Sequence, residues 1–428
     1  MKRMSSGVLI TLALSAGASF AQGATLYAKP APTGSANCAS WANACTLPTA
    51  VLAAQEGDSI WVKAGTHSPI TLVDGRNVKI IGGFAGTETA ASQSTPHLNL
   101  TTIDGGHTTR CVWSSGHTSA TVLRGLRLIN GFDGDLLGGG ALSLSDSSPT
   151  VVDCLFQSNT AAYIAGAVLI YQNSFPKFIN CTFRYNGSTT PGTPPYAGGA
   201  IFLYPNNCSL TAVNCLFHDN NAGEGGAIDM ANGTLSATLI NCTFAYNAAT
   251  IRFGGALYDP HANATVRNCI LWGNTTAMGA AFAHQIYNRG SYITSVAYSV
   301  VQGGWPGAGN LSADPMFVNS AVDNYHLATA SPCRDNGDDA VLPNDTGDLN
   351  WNGNTAEVLP YDLDRLARVS NDTVDMGVYE FYVPPPAACC VFEQPCCEVL
   401  TEEACDLVGG NFKPQYPSCD GALCPCVE

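Results

Sequence analysis

Asn214-Cys215-Leu216-Phe217-His218-Asp219-Asn220, followed by Gly225-Gly226-Ala227-Ile228-Asp229-Met230, is the stretch whose reading decides the fold. Both halves recur. The first half returns as Asp153-Cys154-Leu155-Phe156, Asn180-Cys181-Thr182-Phe183, Asn241-Cys242-Thr243-Phe244 and Asn268-Cys269-Ile270-Leu271. Successive cysteines are 27, 34, 27 and 27 residues apart. The long step carries a Thr/Pro/Gly-rich insert, Gly187–Tyr196, which reads as a loop bulging from one coil. Each copy is closed three residues later by an asparagine: Asn159, Asn186, Asn220, Asn247 and Asn274. The second half returns at Gly139-Gly140-Ala141, Gly198-Gly199-Ala200 and Gly254-Gly255-Ala256, with a weaker copy at Ala165-Gly166-Ala167.

After each alanine the pattern alternates with period two, the period of a strand. One column reads Leu142, Val168, Ile201, Ile228, Leu257 and is wholly aliphatic. The other reads Ser143, Leu169, Phe202, Asp229, Tyr258 and is mixed. These are the inner and outer faces expected of a coiled sheet. A unit of about 27 residues cannot bury its own core, so the units must stack. Helical periodicity and regular leucines are both absent. The expected fold is all-β: a right-handed, single-stranded parallel β-helix with about three strands per coil. Roughly eight to ten coils are expected between about Thr101 and Val318. In this reading the cysteine column packs inward as small hydrophobes. The asparagine columns adopt left-handed turns and bond to their stacked neighbours.

The 428 residues carry 33 acidic and 18 basic side chains, a net charge of −15, and 46% are apolar. That balance excludes whole-chain disorder and a basic nucleic-acid binder. Residues 1–21 read as a signal peptide: Lys2 and Arg3, an apolar stretch Gly7–Phe20, and small Ser19 and Ala21 before Gln22. No later run is long enough to span a membrane, so a secreted or cell-surface location is expected, with no transmembrane segment in the mature chain. The further division is 22–100 as N-terminal cap and first coils, 101–318 as the repeats, and 319–383 as an Asp/Asn-rich C-terminal closure. A Pro-rich linker at 384–388 and a Cys-rich module at 389–428 follow. Leu47–Gln55 reads as a helix that closes the N-terminal mouth, and Asp314–Tyr382 is expected to finish the other end. Cys38 and Cys45 are spaced for a local disulfide. The module holds eight of the 18 cysteines, a disulfide framework in an oxidising compartment whose 105 pairings leave connectivity open; zinc binding is the rival reading.

The paired Gly-Gly-Ala and Phe-x-x-Asn motifs resemble the repeats of chlamydial polymorphic outer-membrane proteins and related secreted bacterial β-helix proteins. Ser40-Trp41-Ala42-Asn43-Ala44, Ile60-Trp61-Val62-Lys63-Ala64-Gly65 and Gly82–Glu88 resemble the N-terminal portion of that group. Asp314-Pro315-Met316-Phe317, Ser331-Pro332-Cys333 and Val374–Glu380 resemble its C-terminal closure. The resemblance covers about residues 24–383 and implies a fold and surface exposure, not an activity. About 45 residues follow Tyr382, too few for the C-terminal membrane barrel of the polymorphic proteins.

Two functions are weighed. The first is a non-catalytic adhesion scaffold that binds a polysaccharide or a surface or matrix protein through outward aromatics, Tyr171, Phe202, Tyr204 and Tyr258; the alternative reading of the same aromatics is that the Gly187–Tyr196 insert covers them. The second is a polysaccharide lyase or glycoside hydrolase of the pectate-lyase-like fold. Its local signatures are absent, and its weak candidate residues are Asp229, Glu224, Arg252 and Asp259. No cofactor is required by any motif. Calcium is the one metal the spacing suggests: Asp348, Asn350, Asn352 and Asn354 alternate as oxygen ligands around Gly353, with Asp362 as a further donor.

Overall fold

The computed structural model describes residues 23–72, 74–134, 138–187, 196–231, 235–259, 263–278, 285–288, 294–370 and 373–382, together with the backbone of three short strands beyond them. The proposed signal peptide and most of the Cys-rich module lie outside the described residues. The chain winds as a right-handed parallel β-helix with three long sheets. The first has ten parallel strands, from Thr25–Ala28 to Thr294–Ala297. The second has nine, from Gly65–His67 to Val300–Val301, and the third eight, from Ile70–Leu72 to Ile286–Asn288. Between Thr101 and Val318 each sheet contributes seven or eight described strands, at the low end of the coil count expected, and coiling already begins at Thr25. Beyond residue 386, Ala387–Cys390, Cys397–Leu400 and Asn411–Lys413 form an antiparallel three-stranded sheet, so the linker reading fails at Ala387.

Register explains the repeat. Leu142, Val168, Ile201, Ile228 and Leu257 pair coil to coil and are fully buried. Phe156, Phe183, Phe217 and Phe244 stack face to face at centroid spacings of 4.5, 4.6 and 4.6 Å. That spacing follows from the ~4.8 Å between strands. Cys154, Cys181, Cys215, Cys242 and Cys269 are buried and unbridged, and burial pushes the thiols of Cys154, Cys181, Cys215 and Cys269 well up. Cys38 and Cys45 form a disulfide.

The two asparagine columns divide the work expected of both. In one, Asn159, Asn186, Asn220, Asn247 and Asn274 form an internal ladder. Each Nδ2 donates to the next Oδ1 at 2.8–2.9 Å. The same nitrogens reach backbone carbonyls of the preceding coil, as Asn220 does to Phe183 at 2.9 Å. In the other, Asp153, Asn180, Asn214, Asn241 and Asn268 hold φ near +50° at the corner between the first and second sheets. The glycine pairs also divide. The first takes positive φ, as Gly225 does at +59°, and a Cβ on the second would collide with a neighbouring carbonyl, 2.3 Å from Gly255 O at Gly226.

The expected helix covers Leu47–Ala53 and adds Leu47 and Ala50 to the core at its N-terminal end. The opposite end corrects the expectation. Trp305 packs against the core there, and residues 317–382 do not finish that end. They turn back and run along the side of the rod. The outward asparagine corner is their rail. Asn268 Nδ2 donates to Asp338 O at 3.0 Å, Asn241 Nδ2 to Asp375 O at 3.2 Å, Asn214 Nδ2 to Tyr361 O at 2.6 Å and Asn180 Nδ2 to Asp362 O at 3.2 Å. Further toward the N-terminus, Asp153 pairs with Arg124 at 3.2 Å and with Arg365 at 2.5 Å. Arg124 also donates to the carbonyls of Gly347, Asp348 and Leu349 and stacks on Trp351, 3.8 Å from the ring centre. Trp351 thereby reaches the aromatic cluster of Trp61 and Phe84 in the first coils. The physical reason is apolar supply. The outer faces of the first and second sheets carry Val152, Ile179, Val213 and Leu216, which Leu349, Leu359 and Val378 cover.

The closure motif fastens this return segment. Arg368, 1% exposed, donates to Glu380 at 3.0 Å, to Asn214 Oδ1 at 3.3 Å and to the carbonyls of Asp375, Gly377 and Val378. Asp375 accepts from the backbone of Asp335 and Phe381, both at 2.6 Å.

Candidate functional site on the third sheet

With the first two sheets covered, the outer face of the third sheet is the surface to examine. Its mixed column is not solvent-exposed as expected. Leu169, Phe202 and Asp229 are buried, and Tyr258 is half-buried. The Gly-Gly turns roof the column: a Cβ on Gly198 would lie 2.9 Å from that of Phe202, and one on Gly225 would lie 2.6 Å from that of Asp229. Ala165 and Ala197 complete the cover over Leu169 and Phe202. Phe202 is therefore a packing residue, a correction to its reading as a ligand-binding aromatic.

Tyr171 ends the strand Val168–Tyr171 and Tyr204 follows the strand Ile201–Leu203 on the adjacent coil; Tyr171 is half-buried and Tyr204 is 36% exposed. Before the strands, on the same two coils, stand Tyr163 and Tyr196, 49% and 46% exposed. The backbone N–H of Tyr196 donates to the Tyr163 carbonyl. These two were missed in the sequence, yet a signal exists: both lie three residues before the second glycine of their repeat. Two tyrosine pairs thus flank a roofed apolar strip. Tyr258 belongs to a separate cluster, stacked on Tyr287 at 5.1 Å, which in turn stacks on Phe253 at 4.4 Å.

The four enzyme candidates separate. Arg252 Nη1 pairs with Glu224 Oε2 at 3.2 Å and sits 5.7 Å from the Tyr196 ring centre. Asp229 lies beneath them, 2% exposed, and its Oδ2 has no hydrogen-bond partner among the described residues. Burial, with Glu224 and Asp259 adding to it, raises its carboxyl well above the usual range. Burial and the nearby Glu224 and Asp229 likewise push the Tyr258 phenol up to about 12. Asp259 does not join this group. It follows Tyr258 by one residue and points inward, in the column of Leu203 and Met230, where Thr294 donates to it at 2.6 Å. The period of two sends neighbours to opposite faces.

The proposed calcium loop is built as turns. Asp348 accepts from Gly353 N at 3.1 Å, Asn350 from Asn352 N at 3.2 Å, Asn352 from Asn354 N at 2.7 Å and Asn354 from Ala356 N at 3.2 Å. Glu357 accepts from the side-chain amides of Asn350 and Asn352. Asp362 is not part of the loop. It is buried, and its two oxygens accept from Leu366 N at 2.8 Å and Glu380 N at 2.9 Å. Among the described residues no helix is long and apolar enough to cross a membrane.

Comparison with curated proteins gives no match. Among solved structures the chain is similar to pectate lyase Pel9A, at 12% identity and a TM-score of 0.42, over 85% of this chain and 97% of that one. It is also similar to an alginate lyase from Paenibacillus sp. str. FPU-7, at 12% identity and a TM-score of 0.27, over 63% and 98%. Likenesses this distant carry no statement about chemistry. Residues 73–299 match the family described as the right handed beta helix region, and with more than half its length inside that match, the chain belongs to this family.

Proposed function

We propose that the chain is a secreted, non-catalytic scaffold of the polymorphic outer-membrane repeat type, which holds a neutral glycan against the third-sheet face. The observation that carries this reading is the pair of tyrosine pairs, Tyr163 with Tyr196 and Tyr171 with Tyr204, on a side of the rod that the described part of the return segment does not reach. Aromatic faces on successive coils suit the apolar faces of sugar rings. A net charge of −15 disfavours polyanionic chains. Glycoside hydrolysis requires two carboxylates set about 5–10 Å apart across the scissile bond. Here Asp229 is roofed, Asp259 faces the interior and Glu224 is paired with Arg252. One observation favours the enzyme reading instead: a buried carboxyl near Tyr258, its pKa raised by burial and by Glu224 and Asp259, has the character of a general acid.

Affinity electrophoresis through neutral and acidic polysaccharides, run alongside assays for reducing ends and unsaturated products, separates the two. The expected result is retardation by a neutral glycan without product, weakened about tenfold or more in Tyr196→Ala and Tyr204→Ala. Product formation that vanishes in Asp229→Ala establishes the enzyme instead. Neither retardation nor product removes the glycan and leaves a protein partner.

A further inference from the structure

A second cluster lies on the opposite side of the rod, under the return segment. His218 ends the second-sheet strand Leu216–His218, its side chain 2% exposed. Asp219 follows in a left-handed turn at φ +53°, which brings its carboxylate back to His218, with Oδ2 2.9 Å from Nδ1. Asp323 sits at φ +61° in the tight connection between Phe317–Asn319 and Asn324–Leu327, and places Oδ1 3.8 Å from the same Nδ1. The three ligand atoms lie within 4.8 Å of one another. Adjacent ligands of one ion, each at ~2.1 Å, stand about 3–3.5 Å apart, so a small contraction closes the set.

The surroundings fit an ion. Tyr185 donates its hydroxyl to Asp323 Oδ2 at 2.6 Å, and Tyr325, 1% exposed, donates to Asp219 Oδ2 at 3.4 Å. Such outer donors orient ligating carboxylates. Arg184 lies 3.9 Å from Asp323 at the rim. An imidazole with two carboxylates favours a first-row transition ion over calcium or magnesium, which take oxygen alone.

We propose that His218, Asp219 and Asp323 bind one divalent transition metal ion, of the zinc class, which staples the return segment to the second sheet. The cluster joins residues more than a hundred positions apart, so the ion closes a long loop and stabilises the docked state. The inference is independent of the glycan reading.

The test uses the full chain, stripped with chelator and titrated with Co²⁺ while its spectrum is recorded, then with Zn²⁺ by calorimetry. One equivalent should give the weak visible bands of nitrogen and oxygen ligation, and Zn²⁺ should raise the melting temperature. Asp323→Asn, which tolerates the left-handed turn, and Asp219→Asn should each lower affinity about tenfold or more. Thiolate charge-transfer bands report the tail cysteines and should be equal in all three proteins. Metal binding unchanged in both variants, or a thiolate signal alone, overturns the proposal. If one variant is shown by circular dichroism to be misfolded, the other decides.

Discussion

The covered and the open sides of this rod use the same ladder geometry and reach opposite ends. On the covered side, the corner column of Asp153, Asn180, Asn214, Asn241 and Asn268 points polar groups outward, and carbonyls of the return segment accept from the side-chain amides of four of the five, with Asn180 Oδ1 left buried without a partner among the described residues. On the open side the outward column is roofed by its own glycine turns, and Asp229 is left with an unsatisfied oxygen. A polar column on a solenoid thus becomes a docking rail where a later segment supplies acceptors, and on either side an oxygen that stays buried without a partner is a stability cost.

The largest test of that comparison is Arg368→Met. It removes the cation that ties Glu380, Asn214 and three carbonyls together, and leaves Glu380 buried without its charge partner. Breaking a buried pair from one side costs about 3–5 kcal/mol. Urea unfolding should show a loss of that order, and Arg368→Met combined with Glu380→Gln should recover part of it. A loss below about 1 kcal/mol would mean that the return segment docks through apolar contact alone.

A smaller effect separates the two asparagine columns. Asn220→Ala breaks the internal ladder: the Asn186 backbone N–H loses its acceptor, the Phe183 carbonyl loses the amide that donates to it, and the side-chain amides of Asn186 and Asn247 each lose one of their bonds in the core. Stranded buried groups cost about 1–3 kcal/mol each at most. Asn268→Ala on the rail loses bonds in both directions with Asp338, in a place that water can reach more easily, and should cost about 1 kcal/mol. Equal losses in the two variants would show that the rail is as dry as the ladder.

The subtlest effect is the pH dependence of Asp229. Its folded-state pKa is raised above the unfolded value, so its contribution is complete below about pH 4 and falls as the pH rises toward the folded value. The slope reaches about 1.4 kcal/mol per pH unit over that window. Asp229→Asn, which mimics the protonated acid, should remove this slope, and chemical unfolding from pH 4 upward measures it. An unchanged slope would place a compensating cation at the site in solution.

Much of the fold could be read locally. The 27-residue period, the alternation after Gly-Gly-Ala and the Phe-x-x-Asn spacing are short-range features, and each maps onto a strand or turn that its own residues favour. The site was less legible. Tyr171 and Tyr204 were placed correctly on one outward column, because period two within a strand decides facing. Asp259 lies on the coil next to that of Asp229 but one residue past its outward column, so the same period turns it inward. Phe202 and Asp229 were read as exposed because a glycine turn folding over a strand leaves no mark in the strand's own residues. Asp362 belongs to a turn fixed by the backbone of Leu366 and Glu380.

What the chain determined by itself is the solenoid: stacking is imposed by a repeat too small to bury its own core, and identical side chains then meet every ~4.8 Å. What only the tertiary structure decided is the use of the rod's sides. The path of residues 317–382 toward Trp351 and the meeting of His218 and Asp219 with Asp323 both depend on contacts across a hundred residues or more. Such contacts have no period. They are set by which apolar face remains uncovered once the coils are formed.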